Sequence, residues 1–133
     1  MRQIIGSLFF LLFIYSCGFN HGMRRKVFVY HEDDQKHSIV LQLPKKIADE
    51  ITLMDGIGNK EQQFYYSDSS LIYVTFFTKS FLNSATKTIK DGKDPDGRAW
   101  KQIQFENFEI GYRFVNPLYM SKYDDAVSAI RIR

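Results

Sequence analysis

Phe108-Glu-Ile-Gly-Tyr-Arg-Phe-Val115 carries the clearest strand signal in the chain. Phe108, Ile110, Tyr112 and Phe114 fall on one side of an extended chain, with Glu109, Gly111 and Arg113 on the other. That two-residue period predicts a half-buried strand, and Pro117 ends it. Working outward, Trp100–Phe105 reads as a neighbouring strand, and Asp91-Gly-Lys-Asp-Pro-Asp-Gly97 has the turn chemistry of a loop. Leu71–Phe77 carries Ile72, Val74 and Phe76 on one face and Tyr73, Thr75 and Phe77 on the other. A strand apolar on both faces belongs in the middle of a sheet. Gln62–Tyr66 precedes it through Ser67-Asp-Ser-Ser70, which predicts an antiparallel hairpin.

Nearer the N-terminus, Lys26–Tyr30 and Ser38–Leu43 read as a second hairpin around the polar stretch His31–His37. Ile39, Leu41 and Leu43 share its inner face, and Pro44 stops it. Helices are expected at three places. Ile47, Ile51 and Met54 recur at three- and four-residue spacing and allow a short one over Lys45–Met54. Phe81, Leu82, Ala85 and Ile89 give Phe81–Lys90 an apolar face, with Thr78 or Ser80 as cap. Tyr119, Tyr123, Ala126, Val127 and Ile130 form a stripe in the closing segment, with Ser121 and Asp124 spaced as a capping box. A short final strand over Ala129–Ile132 is the alternative there. The class is therefore α+β: an antiparallel sheet of five to six strands packed against two to three helices.

Met1–Cys17 stands apart. Arg2 supplies a positive start, and Ile4–Phe13 is apolar except at Gly6 and Ser7. This run is shorter than the roughly 20 residues of a membrane span but long enough for an export signal. Ile14-Tyr-Ser-Cys17 resembles the cleavage motif of bacterial lipoproteins, and the chain resembles small lipoproteins of Gram-negative envelopes. The resemblance implies a signal peptide over 1–16, lipidation at Cys17, a tether over 17–25 and a single domain over 26–133. It also implies export and a lipid anchor on the periplasmic or surface side of a bacterial membrane, with an envelope protein as possible partner. Cys17 is the one cysteine, so no disulfide can form within the chain, and acylation would occupy an otherwise unpaired exported thiol. Ile39–Pro44 and Tyr123–Ile130 carry a further likeness to the α/β/α sandwich of Mog1 and PsbP-type domains, which implies a fold and no activity.

Of 133 residues, the 16 of the signal leave 117, enough for one self-sufficient core. Loss of Arg2 lowers Lys+Arg from 18 to 17 against 15 acidic residues, a formal net charge of +2. Basic residues are dispersed except for Arg24-Arg25-Lys26, which reads first as a solvated domain edge and second as an aid to contact with anionic headgroups. Nothing in this pattern argues for nucleic acid.

No cofactor motif is present. Asp91, Asp94 and Asp96 have oxygen ligands suited to calcium, but Gln102 stands where a helix-flanked calcium loop needs its glutamate. His31, Glu32, Asp33, Asp34 and His37 share one polar turn, a poor template for zinc. Asp55-Gly-Ile-Gly-Asn-Lys60 lacks the ending of a phosphate-binding loop and reads as a turn served by its two glycines. No serine stands in a nucleophile elbow, and all three histidines lie within the first 37 residues. A carboxylate pair drawn from Glu61, Glu106 and Glu109 is the one catalytic arrangement left open. Tyr65, Tyr66, Tyr73, Trp100, Tyr112, Tyr119 and Tyr123 exceed what a small core is expected to enclose with every polar end satisfied. Some are therefore expected at a contact surface. The expectation is a non-enzymatic protein-binding or assembly module, the alternative a small-molecule or glycan binder.

Overall fold

Phe108–Val115 is a strand in the interior of a six-stranded antiparallel sheet. The computed structural model describes residues 23–32, 35–77 and 87–132. In chain order these form β1 (Met23–Glu32), β2 (Gln35–Pro44), β3 (Asp49–Met54), β4 (Lys60–Tyr65), β5 (Leu71–Phe76), β6 (Thr88–Lys93), β7 (Ala99–Gln104) and β8 (Phe108–Val115). A 3-10 turn (Pro117–Tyr119) then leads into α1 (Met120–Ser128), and β9 (Arg131–Ile132) closes the described chain. The large sheet runs β3-β4-β5-β8-β7-β6, and a smaller one runs β1-β2-β9.

The central position of β5, between β4 and β8, follows from its two apolar faces, as the sequence predicts. Ile72, Val74, Ile103, Phe108, Ile110 and Phe64 line the inner face of the large sheet. Ile39, Leu41 and Leu43 of β2 pack onto that face, together with Tyr123, Ala126 and Val127 of α1. The result is two layers, with the small sheet and α1 sharing one side. Phe28 of β1 wedges between Phe64 and Phe76, at ring-centroid distances of 6.1 and 5.7 Å.

Several expectations need correction. Lys45–Met54 is not a helix; Asp49–Met54 is the edge strand β3, paired along its length with β4. Six ladder positions outweigh the helical spacing of three apolar residues, the first of which, Ile47, lies before the strand begins. Thr88–Lys90, expected at the end of the helix Phe81–Lys90, belongs to β6, where Ile89 opposes Ile103; residues 81–86 of that expected helix and its cap candidates lie outside the described residues. Asp91–Lys93 is strand as well, so the loop shrinks to the turn beyond it. Strands account for eight elements of six residues or more plus the two-residue β9, and α1 is the single α-helix among the described residues.

The C-terminal segment realises both of its alternatives, a helix and then a short strand. The capping box does not form. The helix begins at Met120 without a side-chain cap, and Asn116 instead accepts the Leu118 N–H at 3.1 Å in the turn before it. Asp124 is drawn inward, accepting from Lys101 Nζ at 2.9 Å and from the Tyr112 hydroxyl at 3.0 Å. Signal and tether up to residue 22 lie outside the described residues. Met23–Arg25, assigned to the tether, are already β1, where Met23 pairs with Pro44.

Candidate functional site

β7 and β8 fall out of register near one end. Ala99 opposes Val115 and Lys101 opposes Tyr112, so Trp100 alone faces Arg113 and Phe114. This is a β-bulge on β8, and bulges re-aim side chains. Phe114 carries the strain, with φ of 58°. A bulky aromatic in that left-handed region costs of order 1–3 kcal/mol and persists where the surroundings enforce it. Its side chain is 44% exposed, so burial does not explain its presence there.

Two glycines shape the surroundings. A Cβ at Gly92 would come within 3.0–3.2 Å of the Trp100 indole, so the ring lies against the bare backbone of β6. A Cβ at Gly111 would strike the Lys101 carbonyl and approach the Tyr73 hydroxyl to 2.7 Å. Tyr73 therefore lies flat across β8, and the Arg113 guanidinium stacks on its ring at 4.0 Å. Its hydroxyl donates to Glu109 Oε1 at 2.8 Å, while Gln102 Nε2 donates to Glu109 Oε2 at 2.7 Å. Around this framework opens a cleft of about 300 Å³, lined by Trp100 and Phe114 together with Tyr73, Gln102, Glu109 and Arg113.

The polar network continues across the outer face of the large sheet. Glu61 stands two strands from Glu109, with Thr75 between them in register. Thr75 donates to Glu61 Oε2 at 2.8 Å and Gln63 to Oε1 at 2.5 Å, and Arg113 lies 3.6 Å from Oε1. Two of the three carboxylates considered for catalysis thus share one face. Each has both oxygens occupied by neighbouring donors, and Glu106 sits in the turn before β8.

Comparison with protein-family models, curated proteins and solved structures finds no match. Any functional reading rests on this geometry.

The seven aromatics divide. Tyr73, Trp100 and Tyr112 come together at the cleft, whereas Tyr66, Tyr119 and Tyr123 surround Lys122 at a shallower depression. Tyr65 is half-buried and donates to Gln63. Tyr66, Tyr73, Tyr112 and Tyr123 are buried, whereas Tyr119 is exposed and Trp100 is half-buried. Each buried hydroxyl has a partner, with Tyr66 donating to the Pro44 carbonyl at 3.0 Å and Tyr123 paired with Ser70 Oγ at 2.6 Å. Of the acidic trio, Asp94 accepts the Asp96 and Arg98 N–H groups in its turn, and Asp91 stands opposite Lys101 in β6. No group of three or more His, Cys, Asp or Glu side chains gathers among the described residues. Asp55 likewise organises its own turn by accepting from Ile57 and Asn59, and only Gly58 of its two glycines takes a positive φ. Cys17 lies outside the described residues. Sequence reasoning passed over Arg113, Phe114, Gln102, Gly92 and Gly111. An isolated glycine inside so regular a strand is itself the signal of a bulge or a close approach.

Burial pushes the phenols of Tyr66, Tyr73, Tyr112 and Tyr123 above the usual tyrosine value; the negative charges of Glu109 and Asp124 add to the effect at Tyr73 and Tyr112. Unfolded tyrosines titrate near pH 10. Folded values raised above that give a stabilisation that is fully present below about pH 10 and lost as the pH climbs through them. Alkaline titration should therefore show the phenolate absorbance of these four, among eight tyrosines, appearing only together with loss of β-sheet circular dichroism. Ionisation of all eight before any unfolding would contradict the enclosure of these rings.

Phe114→Gly should relieve the left-handed strain while adding unfolded-state entropy of about 0.5–1 kcal/mol. Stability measured by urea unfolding should thus change by less than about 1 kcal/mol despite loss of an aromatic side chain. A loss of several kcal/mol would mean that Phe114 is a packing residue rather than a strained cleft wall.

Proposed function

We propose that the chain is an exported, lipid-anchored binding protein whose ligand seat is the cleft at the β8 bulge, and that its ligand is a saccharide. The observation that carries this reading is the strained, exposed Phe114, opposite Trp100 in the register slip, in a cleft that both rings line together with polar groups. An aromatic wall suits the apolar C–H face of a pyranose ring, and Gln102, Glu109 and Arg113 suit its hydroxyls. About 300 Å³ is at the small end of ligand sites, room for one or two rings. Binding fits better than turnover, because the donors already on Glu61 and Glu109 would have to be broken before either carboxylate could move a proton.

One observation favours a protein partner as a second reading. β3 is an edge strand exposed along its whole length, with Ile51, Leu53 and Met54 outward. The opposite edge, β6, carries Lys90 and Lys93, the charges that discourage strand addition.

Two measurements on the full chain test the proposal. Intact mass of protein purified from membranes should show a diacylglyceryl-sized gain that disappears in Cys17→Ala; an unmodified soluble protein would remove the anchor. Binding to an immobilised glycan panel should be saturable and competed by free sugar. A crosslinked protein partner at β3, with no glycan retained, would favour the second reading instead.

A further inference from the structure

The basic triplet Arg24-Arg25-Lys26 is split by the strand it lies on. Arg24 and Lys26 point to one side of β1, where both pair with Glu50, at 3.9 and 3.1 Å. Lys26 also sits 5.6 Å above the Phe64 ring. Arg25 points to the other side, directly opposite Gln42 of β2, and Val40 of β2 in turn opposes Arg131 of β9. These four residues share the outer face of the small sheet. With the end of α1 as a wall, they line a cleft of about 490 Å³ that has no acidic residue in its lining. Among the described residues neither Arg25 nor Arg131 belongs to an ion pair. Beside them on the same face, Val27 and Val29 are exposed by 47% and 52%.

We infer that the outer face of the β1-β2-β9 sheet lies against the membrane, with the phosphate of an anionic phospholipid seated between Arg25 and Arg131. Guanidinium groups suit phosphate oxygens through paired N–H donors, and two arginines line this cleft with no carboxylate in its lining. The adjoining exposed valines suit the boundary between headgroups and acyl chains, which a free phosphate ion would not need. Chain geometry agrees: five residues separate Cys17 from Met23 at the start of β1, and the six steps between them span at most about 20 Å. The inference rests on the lipid-anchor part of the proposed function and is independent of the saccharide cleft. It also refines the bland reading of the triplet, since only its middle member is turned toward this face.

The test is arginine modification by phenylglyoxal, followed by mass spectrometry, on the full chain in zwitterionic micelles. Phosphatidylglycerol or inorganic phosphate is then added. Phosphatidylglycerol should slow modification of Arg25 and Arg131 while leaving Arg24, Arg98 and Arg113 unchanged. Arg25→Gln with Arg131→Gln should weaken retention of phosphatidylglycerol about thirtyfold, from about fivefold per basic residue near an anionic surface. Their thermal unfolding should match the parent, which separates lost binding from lost folding. Equal protection of Arg24 would reduce the effect to general surface attraction and overturn the seat. Protection by inorganic phosphate but not by the lipid would overturn the membrane assignment. Failure of Cys17 to carry lipid is read separately by intact mass, so loss of the anchor is not mistaken for loss of the arginine seat.

Discussion

Gly111→Ala should cost about 4 kcal/mol or more, a loss reached only through a specific structural fault. The added methyl would run into the Lys101 carbonyl on the neighbouring strand and into the Tyr73 phenol at 2.7–2.9 Å. Tyr73 could turn aside only by giving up its bond to Glu109 and its stack beneath Arg113. The carbonyl belongs to the β7–β8 ladder and cannot retreat without opening it. Since a domain of this size is stable by about 5–15 kcal/mol, the variant should melt far below the parent or fail to accumulate folded. Gly92→Ala is the control. Its methyl meets only the rim of the Trp100 indole, a side chain that can shift, so stability should fall by about 1 kcal/mol or less. Thermal unfolding of both variants followed by circular dichroism makes the comparison. Equal melting temperatures for Gly111→Ala and the parent would show that Tyr73 does not lie across β8.

The second large effect concerns the cleft. Trp100→Ala should weaken saccharide binding by about thirtyfold or more, corresponding to about 2 kcal/mol for removal of a central aromatic anchor. Trp100 is partly buried against Gly92, so the change also removes some packing, and stability should be checked beside affinity. Trp100→Phe separates the two roles, since it retains an aromatic face and should recover most of the affinity. Isothermal titration of each variant with the saccharide retained on the panel supplies the numbers. Unchanged affinity in a folded Trp100→Ala protein would place the ligand elsewhere.

The sheet was largely legible because its signals are local. Alternation in Phe108–Val115, apolar residues on both faces of Leu71–Phe77, and Pro44 after Ile39–Leu43 each reported a period or a break that the ladder obeys. The edge strands were less legible. β3 and β6 are exposed along their whole length, so burial impresses little period on them and their pairing depends on β4 and β7. Three apolar residues in Lys45–Met54 fit only the helical period, and the ladder with β4 across the following turn decided the outcome.

The cleft was legible only in part. Tyr73, Trp100 and Tyr112 were marked as aromatics in excess, but buried hydroxyl partners such as Glu109, Asp124, Ser70 and the Pro44 carbonyl lie 12 to 53 residues from the rings they satisfy. Their convergence is a property of the folded chain. The bulge was hidden because alternation placed Phe114 on the core face with Phe108, Ile110 and Tyr112, whereas the register slip hands that place to Val115. Arg24-Arg25-Lys26 shows the converse. Once the triplet is known to be strand, alternation alone separates Arg25 from its neighbours.

Trp100 is the only tryptophan in the chain, which makes the cleft directly observable through its fluorescence. The decisive measurement is a titration of the full chain with neutral and acidic saccharides while tryptophan emission is recorded. A saturable shift in emission is expected with at least one of them, strongly weakened in Phe114→Gly although that variant remains folded. Saccharide binding with tryptophan emission unchanged, or no response to any saccharide in the set, would contradict the assignment of the β8 bulge as the ligand seat.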